Sequence, residues 1–108
     1  MKIIYNNIIP FPGYKCINLF GILFARKGAI IDDVVINHES IHSKQMKELL
    51  WIFFYFLYVF EFIVHLIMKL KDWHKAYKNI SFEREAYDNE EYMNYLLERK
   101  PYAWFKYW

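Results

Sequence analysis

Three residues in the stretch INHESIHSKQ, His38, Glu39 and His42, have the types and spacing that chemistry needs. On a helix, residues four apart share a face, so the two imidazoles can be aimed at one point. Neutral imidazole is a zinc ligand, and a catalytic zinc site takes three protein ligands and leaves one position for water. Glu39 is rotated about 100° from His38 around a helix axis, so it flanks such a metal without ligating it. From there a carboxylate can take a proton from a water on the metal and later pass it to a leaving amine. The competing reading is a solvated helix face that happens to carry two His and a Glu. Context favours the site, because the motif opens a helix behind a strand and a capping Asp.

The motif supplies two ligands and a base, and it lacks a third ligand. Downstream candidates are Glu61, His65, His74, Glu83, Glu85, Asp88, Glu90 and Glu91. Gln45 follows His42 by three residues and lies near the same face, where it can support a ligand or a water.

The elements around the motif follow from punctuation. A chain of 108 residues is read as one domain, 1–108. All three Gly and two of the three Pro fall in the first 28 residues, which places short strands and turns at the front. KCINLFGILFARKG reads as one strand, or as two bent at Gly21, with a turn at Gly28. Between Ala29 and Lys100 there is neither Gly nor Pro, and the pattern predicts helices. Asp32 or Asp33 can cap the first of them, and Ser81 can cap a later helix running to Lys100 that Pro101 closes. The expected class is α+β and predominantly helical: N-terminal antiparallel strands, then three to four helices with the HExxH helix at the centre.

Composition excludes some functions. With a net charge of +2 and scattered Lys, there is no basic stripe of the kind that binds nucleic acid. Cys16 is the only cysteine, so no intrachain disulfide forms and an oxidising compartment is not required. The N-terminus is a poor signal peptide, and a cytoplasmic setting is expected.

A helical HExxH followed some forty residues later by Glu-x-x-Ala resembles the gluzincin metallopeptidases. The second motif stands here in FEREAYDNE as Glu83, Arg84, Glu85 and Ala86. The length, the front strands and both motifs resemble the minigluzincins, single-domain members of about this size, over roughly residues 17–100. The resemblance implies a zincin-like fold, Zn2+ held by His38, His42 and Glu83, and peptide bonds hydrolysed with Glu39 as base. It also implies that small Ala86 lets the two helices approach, and that NLFGILFAR borders the cleft and pairs with extended peptide or protein substrates. Tyr87 stands where many relatives carry Asp, which makes Asp88 or Glu90 the candidate for an outer carboxylate. Gln45 and Tyr87 are placed as supporting or substrate-facing residues, and Glu85 is the runner-up third ligand.

The apolar run 49–68 is long enough to span a bilayer, apart from Glu61 and His65 within it. A single span would put His38 and His42 on one side and Glu83 on the other, so membrane crossing and metal site exclude each other. The run is therefore expected to fold back within residues 50–70 as buried helices, with Glu61 and His65 paired. The tail PYAWFKYW must bury its rings, usually in the core. The minigluzincin resemblance suggests a second use, covering the cleft of its own or a neighbouring chain, which would involve a homodimer. Two rival readings stand beside the peptidase: an inactive zincin-like binding module, and a small membrane-associated protein with a chance HExxH.

Overall fold

A turn built from Phe20 (φ 53°) and Gly21 (φ 86°) folds the front of the chain back on itself. Two consecutive positive φ values match the twist of a tight hairpin. Gly21 is required twice over, since a Cβ there would lie 3.2 Å from the Trp51 ring. The computed structural model describes residues 2–10, 14–68 and 72–108. Strands β1 (Ile3–Asn6), β2 (Cys16–Leu19) and β3 (Ile22–Arg26) form one sheet in the order β1-β3-β2. β2 and β3 are antiparallel, as expected of a hairpin, whereas β1 runs parallel to β3. The sheet is therefore mixed: β1 enters on the edge of β3 that the hairpin leaves free. β3 is paired on both sides, so within NLFGILFAR only Asn18 and Leu19, the end of β2, lie on a strand whose outer edge is unpaired among the described residues.

Helix α1 (Asp33–Glu48) starts at Asp32, whose carboxylate accepts from the N–H of Val35. It ends where Leu50 (φ 52°) and Trp51 (φ 65°) turn the chain, and α2 (Ile52–Met68) leaves at 111° to it. The fold-back expected near 50–70 thus opens at its front, without Gly or Pro. Trp51 donates its N–H to the Met46 carbonyl at 2.7 Å, which closes the end of α1. Among the described residues no single helix is long and apolar enough to cross a membrane.

The rest of the chain forms α3 (Trp73–Asn79), α4 (Ser81–Asn89), α5 (Tyr95–Glu98) and a 3₁₀ turn (Ala103–Tyr107). That makes five helices among the described residues where three to four were expected, because tertiary contacts cut the helical run at both ends of α4. Ser81 does not cap α4. It is the first helical residue, and its N–H and hydroxyl both donate to Glu61 of α2, at 2.8 and 2.7 Å. Glu61 is thus spent on α4, and His65 Nδ1 is buried with no partner among the described residues, so the expected Glu61–His65 pair does not form. At the other end, Asn37 of α1 donates to the carbonyls of Asn89, Glu90 and Tyr92, at 3.3, 2.8 and 3.0 Å, and stops the helix there.

The core is Met46, Phe54, Ile80, Phe82 and Trp104. Phe82 sits at its middle, with ring centroids 4.7 Å from Phe54 and 4.9 Å from Trp104. Of the aromatic tail only Trp104 packs in the core; Tyr102, Phe105 and Trp108 stay exposed, against the expectation that the tail buries its rings, and Arg84 and Asn89 of α4 bond the carbonyl and hydroxyl of Tyr107. The helix α2 departs furthest from expectation. Only Phe54 and Glu61 are buried in it, and its outer face is open to solvent.

Candidate metal centre

The sheet and two helices carry the site. Asn18, on the edge strand β2, donates to the backbone carbonyl of Glu39 and to the Ser43 hydroxyl, both at 2.9 Å, which pins α1 under the strand. α1 buries Asn37, His38, Glu39, Ile41, His42, Gln45 and Met46 on one side. α4 meets that side with Glu83, Glu85 and Ala86, and Ala86 is fully buried where the helices approach. A larger side chain there would push the two apart.

His38, His42 and Glu83 converge as a buried group that could hold a metal ion. Glu83 Oε1 lies 3.2 Å from His38 Nε2 and 3.0 Å from His42 Nε2, and the two nitrogens are 3.1 Å apart. Zinc bonds of about 2.0–2.1 Å in a tetrahedron would set its ligand atoms about 3.3 Å apart, close to this triangle.

Hydrogen bonding behind the imidazoles decides where their protons lie. The Gln45 amide nitrogen donates to the Phe82 carbonyl and to Glu85, each at 3.0 Å, so its oxygen faces His42 Nδ1 at 2.8 Å and accepts. His42 then carries its proton on Nδ1 and presents a lone pair at Nε2. His38 Nδ1 faces the Glu90 carboxylate at 3.5 Å, beyond hydrogen-bond length, and the negative charge there favours a proton on Nδ1 and a lone pair at Nε2. Two lone pairs and a carboxylate oxygen meet, and something positive must lie between them. Without a metal, a proton has to serve. Burial pulls His42 down, but the charge and hydrogen bond of Glu83 outweigh it and push His42 up to about 10. Burial likewise raises Glu83, yet His42 and His38 hold it well below the usual carboxylate range.

The second oxygen of Glu83 is held from α2, by the Tyr58 hydroxyl at 2.6 Å. Burial, reinforced by Glu83, raises the Tyr58 phenol well above its ordinary value, so it stays a donor. Glu39 Oε2 is buried without a hydrogen-bond partner among the described residues. Burial pushes this carboxyl above its usual range, against the pull of His42 and His38. An unsatisfied carboxylate oxygen beside the cluster is the group a metal site uses as a base.

The other candidates take other places. Glu85 is consumed by Arg99, Tyr95 and Gln45, at 2.5, 2.7 and 3.0 Å, and Arg99 also grips Glu48 of α1. That network ties α1, α4 and α5 together and turns Glu85 away from the cluster. Tyr87 sets its ring 4.6 Å from that of His38, edge-on, with its hydroxyl 3.4 Å from that of Tyr77. Glu90, and not the exposed Asp88, supplies the carboxylate behind His38. Asn37 and Tyr58 were missed by sequence reasoning, and Glu61 was assigned to His65 where its partner is Ser81. Asn37 had one signal, its place one residue before His38 on the inward side of α1; Tyr58 was hidden inside an apolar run. Comparison with known protein families, curated proteins and solved structures gives no match.

Proposed function

We propose that this chain is a zinc-dependent peptidase of the gluzincin kind, with a zincin-like arrangement of HExxH helix, Glu-bearing helix and edge strand. One observation carries the reading: His38 Nε2, His42 Nε2 and Glu83 Oε1 converge within hydrogen-bond distance while Glu39 Oε2 beside them has no partner. Two imidazoles, one carboxylate and a free position form the donor set of catalytic zinc. Zinc held there would act as a Lewis acid, polarising a peptide carbonyl and making water acidic enough to deprotonate near neutral pH.

The chain's own residues divide the remaining work. Glu39 takes a proton from the attacking water as the C–O bond forms, and returns it to the amine nitrogen as the C–N bond breaks. One water is consumed, and Glu39 ends as it began. Gln45 and Glu90 keep the imidazoles oriented, and Tyr58 keeps Glu83 in place. The Tyr77–Tyr87 hydroxyl pair beside His38 is the proposed donor to the developing oxyanion. The open edge of β2 offers main-chain groups to an extended peptide, so recognition tolerates varied side chains. The setting proposed is cytoplasmic, on peptide or protein substrates and without a nucleic-acid partner.

Cleavage of a generic peptide by the zinc-loaded protein tests the reading, with Glu39→Gln as control. The expected result is cleavage that Glu39→Gln abolishes while zinc is retained. Zinc retention without cleavage in either protein would favour the binding-module reading.

A further inference from the structure

Helix α2 presents a face that nothing among the described residues covers, and every exposed residue along it is apolar. Ile52, Phe53, Phe56, Phe60, Ile63 and Ile67 lie on this side, with Phe56 66% and Ile67 72% exposed. At 100° per residue the exposed positions sweep about 180° of the helix, a half-cylinder without one polar side chain. For side chains of 150–250 Å² about half exposed, the apolar surface left in water is on the order of 1,000 Å². A monomer usually carries a largest patch of about 300–600 Å².

We propose that this half-cylinder rests on a lipid bilayer, lying in its interface without crossing it. The inner side of α2 is committed to the protein, since Tyr55, Tyr58 and Glu61 bond Phe20, Glu83 and Ser81. The helix is also only about 26 Å long at 1.5 Å per residue, short of a bilayer core of about 30 Å. Both facts argue against a span and suit an in-plane helix. In sequence the helix is preceded by Lys44, Lys47 and Glu48 and followed by Lys69, Lys71 and Asp72, a positive excess that suits an anionic interface, and Trp51 stands at its start. Phe20 and Leu50, both exposed, extend the apolar surface at the start of α2.

Width decides against a second copy of the chain. Helix pairing covers a stripe about 100° wide, which would leave the flanks of this face in water; lipid covers all of it. The inference stands independently of any metal. Through Tyr58, α2 would hold the cluster about one helix diameter, roughly 10 Å, above the lipid.

The experiment is flotation of the full chain with phosphatidylcholine vesicles, with and without phosphatidylglycerol, beside the double variant Phe56→Glu/Ile63→Glu. Both sites are exposed, so the variant should keep the wild-type circular dichroism. The wild type is expected to float, more completely with phosphatidylglycerol, and the variant to partition at least about tenfold less. Brominated lipid should quench wild-type tryptophan fluorescence, a readout that needs no variant. Failure of the wild type to float or be quenched overturns the proposal, as does equal flotation of the variant. A lipid-free dimer that the variant dissociates, with no vesicle binding, overturns it in favour of a second copy.

Discussion

The side-chain oxygen of Gln45 lies 2.8 Å from His42 Nδ1 and fixes which nitrogen of that imidazole is free. The other end of the amide is anchored on the Phe82 carbonyl and Glu85, so it cannot flip without losing both bonds. Gln45→Met keeps the shape and removes the acceptor. Zinc affinity should fall about 10- to 100-fold, as for other groups that orient a ligand. Competition against a chromogenic chelator measures it.

The base can be separated from the ligands. Glu39 makes no bond through its buried Oε2 and is not one of the three converging groups. Glu39→Gln should bind zinc as wild type does and lose at least about a hundredfold in turnover, the scale of a lost general base. Parallel zinc titration and peptide-cleavage kinetics check both halves.

Metal and proton compete for the cluster, which gives stability a pH signature. His42 rises from an ordinary 6.5 to about 10, so the folded chain favours its charged form. Its contribution is complete below 6.5 and is lost as pH climbs through 10. Glu83 is held below its ordinary 4.5, and its contribution is present above 4.5 and lost as pH falls. Metal-free protein should therefore be most stable between about 4.5 and 6.5, and zinc should remove the decline on the alkaline side. Zinc uptake near neutral pH should release about one proton. Urea denaturation across pH, with chelator or with zinc, tests the first point; calorimetry in buffers of different ionisation enthalpy tests the second.

Much of the site was written in local spacing. Positions four apart on a capped helix meet whatever surrounds them, so His38 and His42 could be read from sequence, and a short Glu-x-x-Ala motif pointed to the helix that faces them. What could not be read depends on partners distant in the chain. Ser81 looks like a cap, but Glu61, 20 residues earlier, takes both its donors. The run 49–68 looks like core because hydropathy records apolar content and not which neighbours exist to cover it. The turn at Leu50 and Trp51 carries no Gly or Pro, and the positive φ of both goes with a close approach of Trp51 to Gly21, distant in the chain.

Glu61 should matter for stability more than for the metal. Glu61→Leu would leave the Ser81 N–H and hydroxyl buried and unpaired, at about 2–3 kcal/mol. Ser81→Ala removes one of the two bonds and should cost about 1 kcal/mol. Denaturant midpoints of both variants measure the difference.

Within the tail, Trp104 should behave as core. Trp104 packs on Phe82 and is buried. Trp104→Ala should destabilise the protein by about 3–5 kcal/mol, the range for large aromatic deletions. No gain of peptidase activity should accompany it; increased cleavage by a still-folded Trp104→Ala protein would restore a cleft-covering role for the tail.

The most direct measurement is zinc stoichiometry by native mass spectrometry on the wild type, Glu83→Gln and Glu85→Gln. Glu83 Oε1 touches both imidazole nitrogens, whereas Glu85 is held by Arg99. One zinc per chain is expected for the wild type and for Glu85→Gln, with binding strongly weakened in Glu83→Gln. Zinc retained equally by Glu83→Gln, or absent from the wild type, would contradict a metal centre at His38, His42 and Glu83.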